Sequence, residues 1–116
     1  MEIAAEGSNL SFGQRQLICF ARICLAQKKL VLLDEATANI DVNTEGKVTD
    51  LLNSSFKQST VLIIAHRINT VLNCDRIMAL EGGEIIEFDT PQNLLRNEAG
   101  YFKSIYEKML QEEATR

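Results

Sequence analysis

Three short stretches of this sequence bring together residue types that can do chemistry. The run Leu30-Val31-Leu32-Leu33 ends at two carboxylates, Asp34 and Glu35, and the run Val61-Leu62-Ile63-Ile64-Ala65 ends at His66. Near the start, Leu10-Ser11-Phe12-Gly13-Gln14 combines a hydroxyl, a glycine and an amide. A carboxylate closing a buried strand offers the hard oxygen that suits Mg²⁺, so Asp34 is the candidate metal ligand. In an extended backbone the next side chain points the other way, so Glu35 can polarise an attacking water while its neighbour serves the metal. His66, the only histidine, can hydrogen-bond a terminal phosphate or orient a carboxylate. Ser11 and Gly13 at a helix start, where N–H groups point outward and a glycine allows close approach, make an anion site. Each has a plainer alternative: an acidic pair that begins a solvated loop, a satisfied histidine at a strand end, an ordinary capping box.

The elements that must position these groups are legible from periodicity. Ser11 and Gln14 have capping-box spacing, and Leu17, Ala21, Cys24 and Leu25 recur on one face, which predicts a helix over 11–27. Lys28 and Lys29 suit its C-terminus, and Leu30–Leu33 reads as a strand buried on both faces. A helix over 44–53 follows, capped by Asn43 with Val48, Leu51 and Leu52 inward, and then a second buried strand over 60–65. Glu81-Gly82-Gly83-Glu84 lies between two short apolar runs within 76–89, as in a tight hairpin. Thr90-Pro91 reads as a cap and first helical position, and Phe102, Ile105, Tyr106, Met109 and Leu110 mark a final amphipathic helix whose last residues fray. The expected order is α-β-α-β-α-β-β-α-α. In open α/β sheets ligands bind at the carboxyl ends of the strands, so Asp34, Glu35 and His66 are expected to converge.

Bulk composition narrows the possibilities. With 116 residues the chain is one small folded unit or part of one, and no Pro-, Gly- or Ser-rich stretch marks an internal boundary. A net charge of -4 with scattered basic residues argues against nucleic acid as a partner. No apolar stretch approaches the roughly 20 residues of a membrane span. The three cysteines, Cys19, Cys24 and Cys74, lack zinc-ligand spacing and read as reduced thiols.

Taken together and in order, these residues resemble the ATP-binding-cassette (ABC) family over about 6–110. Leu10–Gln14 followed by Arg15-Gln16-Leu17 is similar to the family signature, and Leu30–Glu35 to its Walker B strand with the catalytic glutamate. Ala38-Asn39-Ile40-Asp41 resembles the D-loop and Ala65-His66-Arg67 the switch-histidine segment. The stretch 75–91 resembles the region that follows the switch histidine in transporters that export, and the chain as a whole is most similar to the second nucleotide-binding domain of the multidrug-resistance-associated subfamily. Phe12 departs from the commonest signature, which has glycine there. No G-x-x-x-x-G-K-[ST] sequence is present; Gly46-Lys47 lacks both the upstream glycine and the downstream hydroxyl.

The resemblance implies an α/β fold: the C-terminal half of a P-loop NTPase domain, with a mostly parallel sheet, a terminal β-hairpin and flanking helices, the phosphate-binding half lying outside residues 1–116. It implies ATP and Mg²⁺ as cofactors, a second nucleotide-binding domain packed head to tail, transmembrane domains as further partners, and a place at the cytosolic face of a membrane. Ser11, Phe12, Gly13 and Gln14 would face the partner's ATP, Asp34 would hold the metal, Glu35 and His66 would serve hydrolysis, and Asp41 would lie at the interface. Apolar faces covered by the first half of such a domain would be exposed here. Two other readings stand beside this one: a non-catalytic truncated product that only pairs with a complete domain, and a chromosome-maintenance or DNA-repair ATPase, which typically carries long coiled coils.

Overall fold

The computed structural model describes residues 2–115, apart from the side chain of Val42. Its elements follow the expected order and divide into two compact units, Met1–Ile64 and Ala65–Arg116. The division falls directly after a strand.

In the first unit, a 3-10 turn at Ala5–Gly7, which periodicity did not reveal, leads into α1, Phe12–Ala26. Strand β1, Leu30–Asp34, is joined by α2, Val42–Ser55, to the parallel strand β2, Thr60–Ile64. A parallel pair needs such a crossover, because its strands run the same way and a tight turn cannot join them. Leu30 pairs with Thr60 and Asp34 with Ile64, without a register shift. Phe20 of α1, Val31 and Leu33 of β1, Ile40, Val48 of α2 and Phe56 form the core.

Four local expectations are corrected here. Helix α2 begins at Val42 with Asp41 as its cap, not at Thr44 with Asn43. Asp41 accepts the Thr44 N–H at 3.0 Å, the bond that draws the first turn back by two residues. Of the face expected on α1, only Cys24 packs on the core; Phe20 and Ile23 do the rest, and Leu17, Ala21 and Leu25 are exposed. Apolar side chains ring this helix almost completely, so periodicity alone could not choose the inward stripe. The strands, finally, are covered on one face only. Val31 and Leu33 are buried, whereas Leu30 is 57% exposed, Leu32 65%, Leu62 48% and Ile64 56%. Alternation puts these four on a single face, together with Asp34. Leu51, expected inward on α2, is also exposed.

The second unit contains α3, Ile68–Leu72, the antiparallel strands β3, Ile77–Glu81, and β4, Glu84–Asp89, then α4, Pro91–Arg96, and α5, Tyr101–Ala114. The turn between the strands has Gly82 at φ 57° and Gly83 at φ 85°, the doubly left-handed backbone that tight hairpins demand and that glycine adopts without strain. The sheets are thus small and of both kinds, one parallel pair and one antiparallel pair among the described residues, in a mixed α/β fold. The terminal Arg116, where fraying was expected, lies outside the described residues.

Ala79, Leu94 and Phe102 form the core of this unit. A register shift between Ala79 and Leu80 leaves Glu87 opposite Ala79, on the covered side of the hairpin. A carboxylate there needs partners. It finds them at the start of α5: one oxygen accepts the Tyr101 N–H at 3.2 Å and the other the Phe102 N–H at 2.7 Å. The N-cap of α5 is Gly100, which has no side chain to do this; a Cβ there would lie 2.9 Å from the Glu87 Oε1. Charge-assisted bonds at a helix N-terminus are among the stronger ones. Replacing Glu87 by Ala should therefore destabilise the chain by about 2 kcal/mol in denaturant titration. Glu87→Gln, with one acceptor oxygen instead of two, should fall between Ala and wild type.

Candidate functional site

Helix α1 starts in a complete capping box. Ser11 Oγ accepts the Gln14 N–H at 3.1 Å, and Gln14 Oε1 accepts the Ser11 N–H at 2.9 Å. The ordinary structural role of this pair is therefore realised. It leaves the Ser11 hydroxyl proton as a donor, because the bond to Gln14 uses only a lone pair. Phe12 follows, 56% exposed, and the Arg15 guanidinium sits 6.0 Å from its ring centroid.

Gly13 has a second function that its spacing did not disclose. A Cβ at this position would lie 3.2 Å from the carbonyl oxygen of Asn39, tighter than ordinary van der Waals contact. The glycine thus lets the first turn of α1 approach the loop between β1 and α2. That loop is well tied: the Ala38 N–H donates to the Glu35 carbonyl, the Ile40 N–H to that of Thr37, both at 3.1 Å, and Ile40 is buried in the core. Thr37 Oγ1 donates to Glu45 Oε1 at 3.0 Å, joining the loop to the first turn of α2.

Asp34 ends β1, exposed, opposite Ile64. Glu35, also exposed, turns sharply out of the strand with φ 47°, a left-handed backbone uncommon for a residue with a Cβ. Its N–H nevertheless stays in the sheet ladder, donating to the Ile64 carbonyl at 2.9 Å. The extended backbone whose alternation was expected to separate the two carboxylates therefore ends at Asp34, and Glu35 is placed by a left-handed turn instead. Such a backbone costs of order 1 kcal/mol and persists only where its surroundings enforce it.

Ser11–Gln14, Asp34, Glu35 and the 38–41 loop all belong to the first unit, in which Gly13 meets the loop at Asn39. His66 belongs to the second, exposed and two residues after β2 ends. Among the described residues, no group of three or more His, Cys, Asp or Glu is placed to hold a metal ion. Asp41 caps α2, and its hydrogen bonds with Thr44 hold the carboxyl below its ordinary value of 3.8. Burial, reinforced by the charge of Asp75, raises Cys74. Cys19, Cys24 and Cys74 are free thiols. No helix among the described residues is long and apolar enough to cross a membrane.

Comparison with known proteins agrees with the motif reading. The family described as ABC transporter matches residues 2–38. The bile pigment transporter 1 of Saccharomyces cerevisiae is 47% identical over 108 residues, covering 93% of this chain and 7% of that protein. The metal resistance protein YCF1 of the same yeast is 45% identical over 104 residues, 90% of this chain and 7% of the relative. ATP-binding cassette sub-family C member 4 of Homo sapiens is 43% identical over 111 residues, 96% of this chain and 8% of the relative. The chain thus spans less than a tenth of the length of these relatives.

The geometry of this unit makes three substitutions informative. Gly13→Val should cost about 1–3 kcal/mol of stability and displace the amide resonances of Asn39–Asp41, since a branched side chain cannot fit against the Asn39 carbonyl. Gly13→Ala should be closer to neutral, the crowding being offset by better helix propensity. Because the folded Asp41 titrates below 3.8, its contribution is complete above that pH and is lost as the pH falls further, through the folded value. Asp41→Asn should accordingly flatten the loss of helical circular dichroism on acidification below about pH 4.

Proposed function

This chain belongs to the ABC transporter family, and from that premise we propose that it is the C-terminal part of an ATP-hydrolysing domain, of P-loop NTPase fold, that drives export across a membrane. The relatives' names include transporter and sub-family C members, which supports export over chromosome maintenance. The phosphate-binding loop is proposed to come from sequence outside these residues and to cover the apolar face of β1 and β2. Asp34 shares that face, so the element that covers it meets the carboxylate.

The carboxylates suit Mg²⁺. This ion keeps several waters and binds through one or two carboxylates together with substrate phosphates, so an exposed Asp34 outside any closed cage is the expected arrangement. Asp34 would hold Mg²⁺, which would supply charge neutralisation at the phosphate oxygens. Glu35 would orient the attacking water and accept its proton as the water oxygen bonds to the γ-phosphorus and the bond from that phosphorus to the β,γ-bridging oxygen breaks, leaving ADP and phosphate. His66 hydrogen-bonds the γ-phosphate and holds the closed site. The Ser11 hydroxyl and the N–H groups at the start of α1, with Gly13 and Gln14, face ATP held by a second nucleotide-binding domain packed head to tail. Phe12 flanks that contact. Asp41, at the start of α2, abuts the same partner domain. Transmembrane domains complete the assembly at the cytosolic face.

The observation that carries this reading is the backbone of Glu35: a non-glycine residue in left-handed conformation, directly after the strand, clasped by the Ile64 carbonyl. Glu6 and Gln27 adopt the same conformation at a 3-10 turn and a helix end, and of these three Glu35 is the one that follows a strand and neighbours a second carboxylate. In a protein that includes the phosphate-binding loop, Glu35→Gln should retain ATP while turnover falls by roughly 10²–10⁴-fold, the usual contribution of a general base. Undiminished turnover would overturn the assignment. The 116-residue chain alone should show no tight ATP binding by calorimetry.

A further inference from the structure

Helix α3 begins two residues after His66 and lacks a local cap. Its N-cap is Arg67, in extended conformation, with no side-chain hydrogen bond to the first turn. Arginine carries only donors, so it cannot accept the N–H groups that a helix start leaves unpaired. One of these, the Ile68 N–H, is instead taken by Glu113 Oε1 at 3.1 Å, from a residue 45 positions later near the end of α5. Ile68 is buried, so water is a poor substitute for that acceptor. The carboxylate also complements the positive end of the helix.

We propose that Glu113 is a positioning residue for His66: by holding the Ile68 N–H it fixes the first turn of α3, and with it the His66-Arg67 backbone that leads into that turn. The final helix thereby bears on the imidazole without contributing a group to the reaction. Loosening the end of α5 releases the Ile68 N–H and lets the His66 backbone sample other conformations. This assignment rests on the role proposed above for His66, but the contact and its effect on the imidazole are measurable without nucleotide.

The test is nuclear magnetic resonance on the full chain, following the Ile68 amide and the His66 ring. In the unsubstituted chain a scalar coupling between the Ile68 nitrogen and the Glu113 carboxyl carbon is expected; its absence, with fast exchange of that amide, overturns the proposal. Glu113→Ala should speed Ile68 exchange by about tenfold or more and displace the His66 ring resonances. Glu113→Gln, which keeps an acceptor oxygen, should restore most of both. The neighbouring Glu112→Ala should move neither. Equal His66 shifts in the Glu112 and Glu113 variants would reduce Glu113 to a general structural role and overturn the proposal. If instead the coupling and shifts appear but His66→Ala leaves ATP turnover intact in a protein carrying the phosphate-binding loop, the role of His66 fails and the contact stands.

Discussion

The parallel pairing of β1 with β2 is the constraint on which the first unit depends. Hydrogen bonds bracket it at both ends: Thr60 N–H to the Lys29 carbonyl at 2.8 Å and Glu35 N–H to the Ile64 carbonyl at 2.9 Å. Between them the register is unbroken, and Val31 and Leu33 point into a core that α1, α2 and Phe56 close. Because side chains alternate, the same register that buries Val31 and Leu33 fixes where Asp34 stands and where the chain must turn at Glu35. A slip of one residue would exchange the faces and carry the carboxylate inward. The apolar core and the candidate site are two consequences of one ladder.

A second theme is how the helix starts are satisfied. Helices α1, α2 and α4 use the side chain just before them, Ser11, Asp41 and Thr90. Helices α3 and α5 have Arg67 and Gly100 in that place, and distant glutamates, Glu113 and Glu87, supply the acceptor. A local cap stabilises its own helix; a remote one ties two elements together. In the second unit, these bonds fasten the end of α5 to α3 and the hairpin to the start of α5, beside the small core of Ala79, Leu94 and Phe102.

The same distinction marks what could be read from the residues in advance. The order of elements, the capping box at Ser11 and Gln14, the Gly82-Gly83 hairpin and the Thr90-Pro91 helix start were all legible, because each depends on neighbours within a few positions. The inward stripe of α1 was not, because Phe20, Ile23 and Leu17 are equally apolar and only the strands decide among them. Burial of both strand faces was expected from their unbroken hydrophobicity; within this chain only one face is covered. The contact of Gly13 with Asn39 and the two remote glutamate caps join residues far apart in sequence, and no short-range pattern announces them. Glu35 was singled out for its chemical type and position, while its left-handed backbone became visible only in three dimensions.

The clasp between Glu35 and Ile64 fixes where the extended backbone of β1 ends and the left-handed turn that carries the second carboxylate begins. The most direct measurement is the scalar coupling across that hydrogen bond, from the Glu35 nitrogen to the Ile64 carbonyl carbon, together with the three-bond coupling that reports the Glu35 φ angle. A resolved trans-bond coupling and a φ in the left-handed region are the predicted result. No coupling, with Glu35 continuing the extended backbone of the strand, would contradict it.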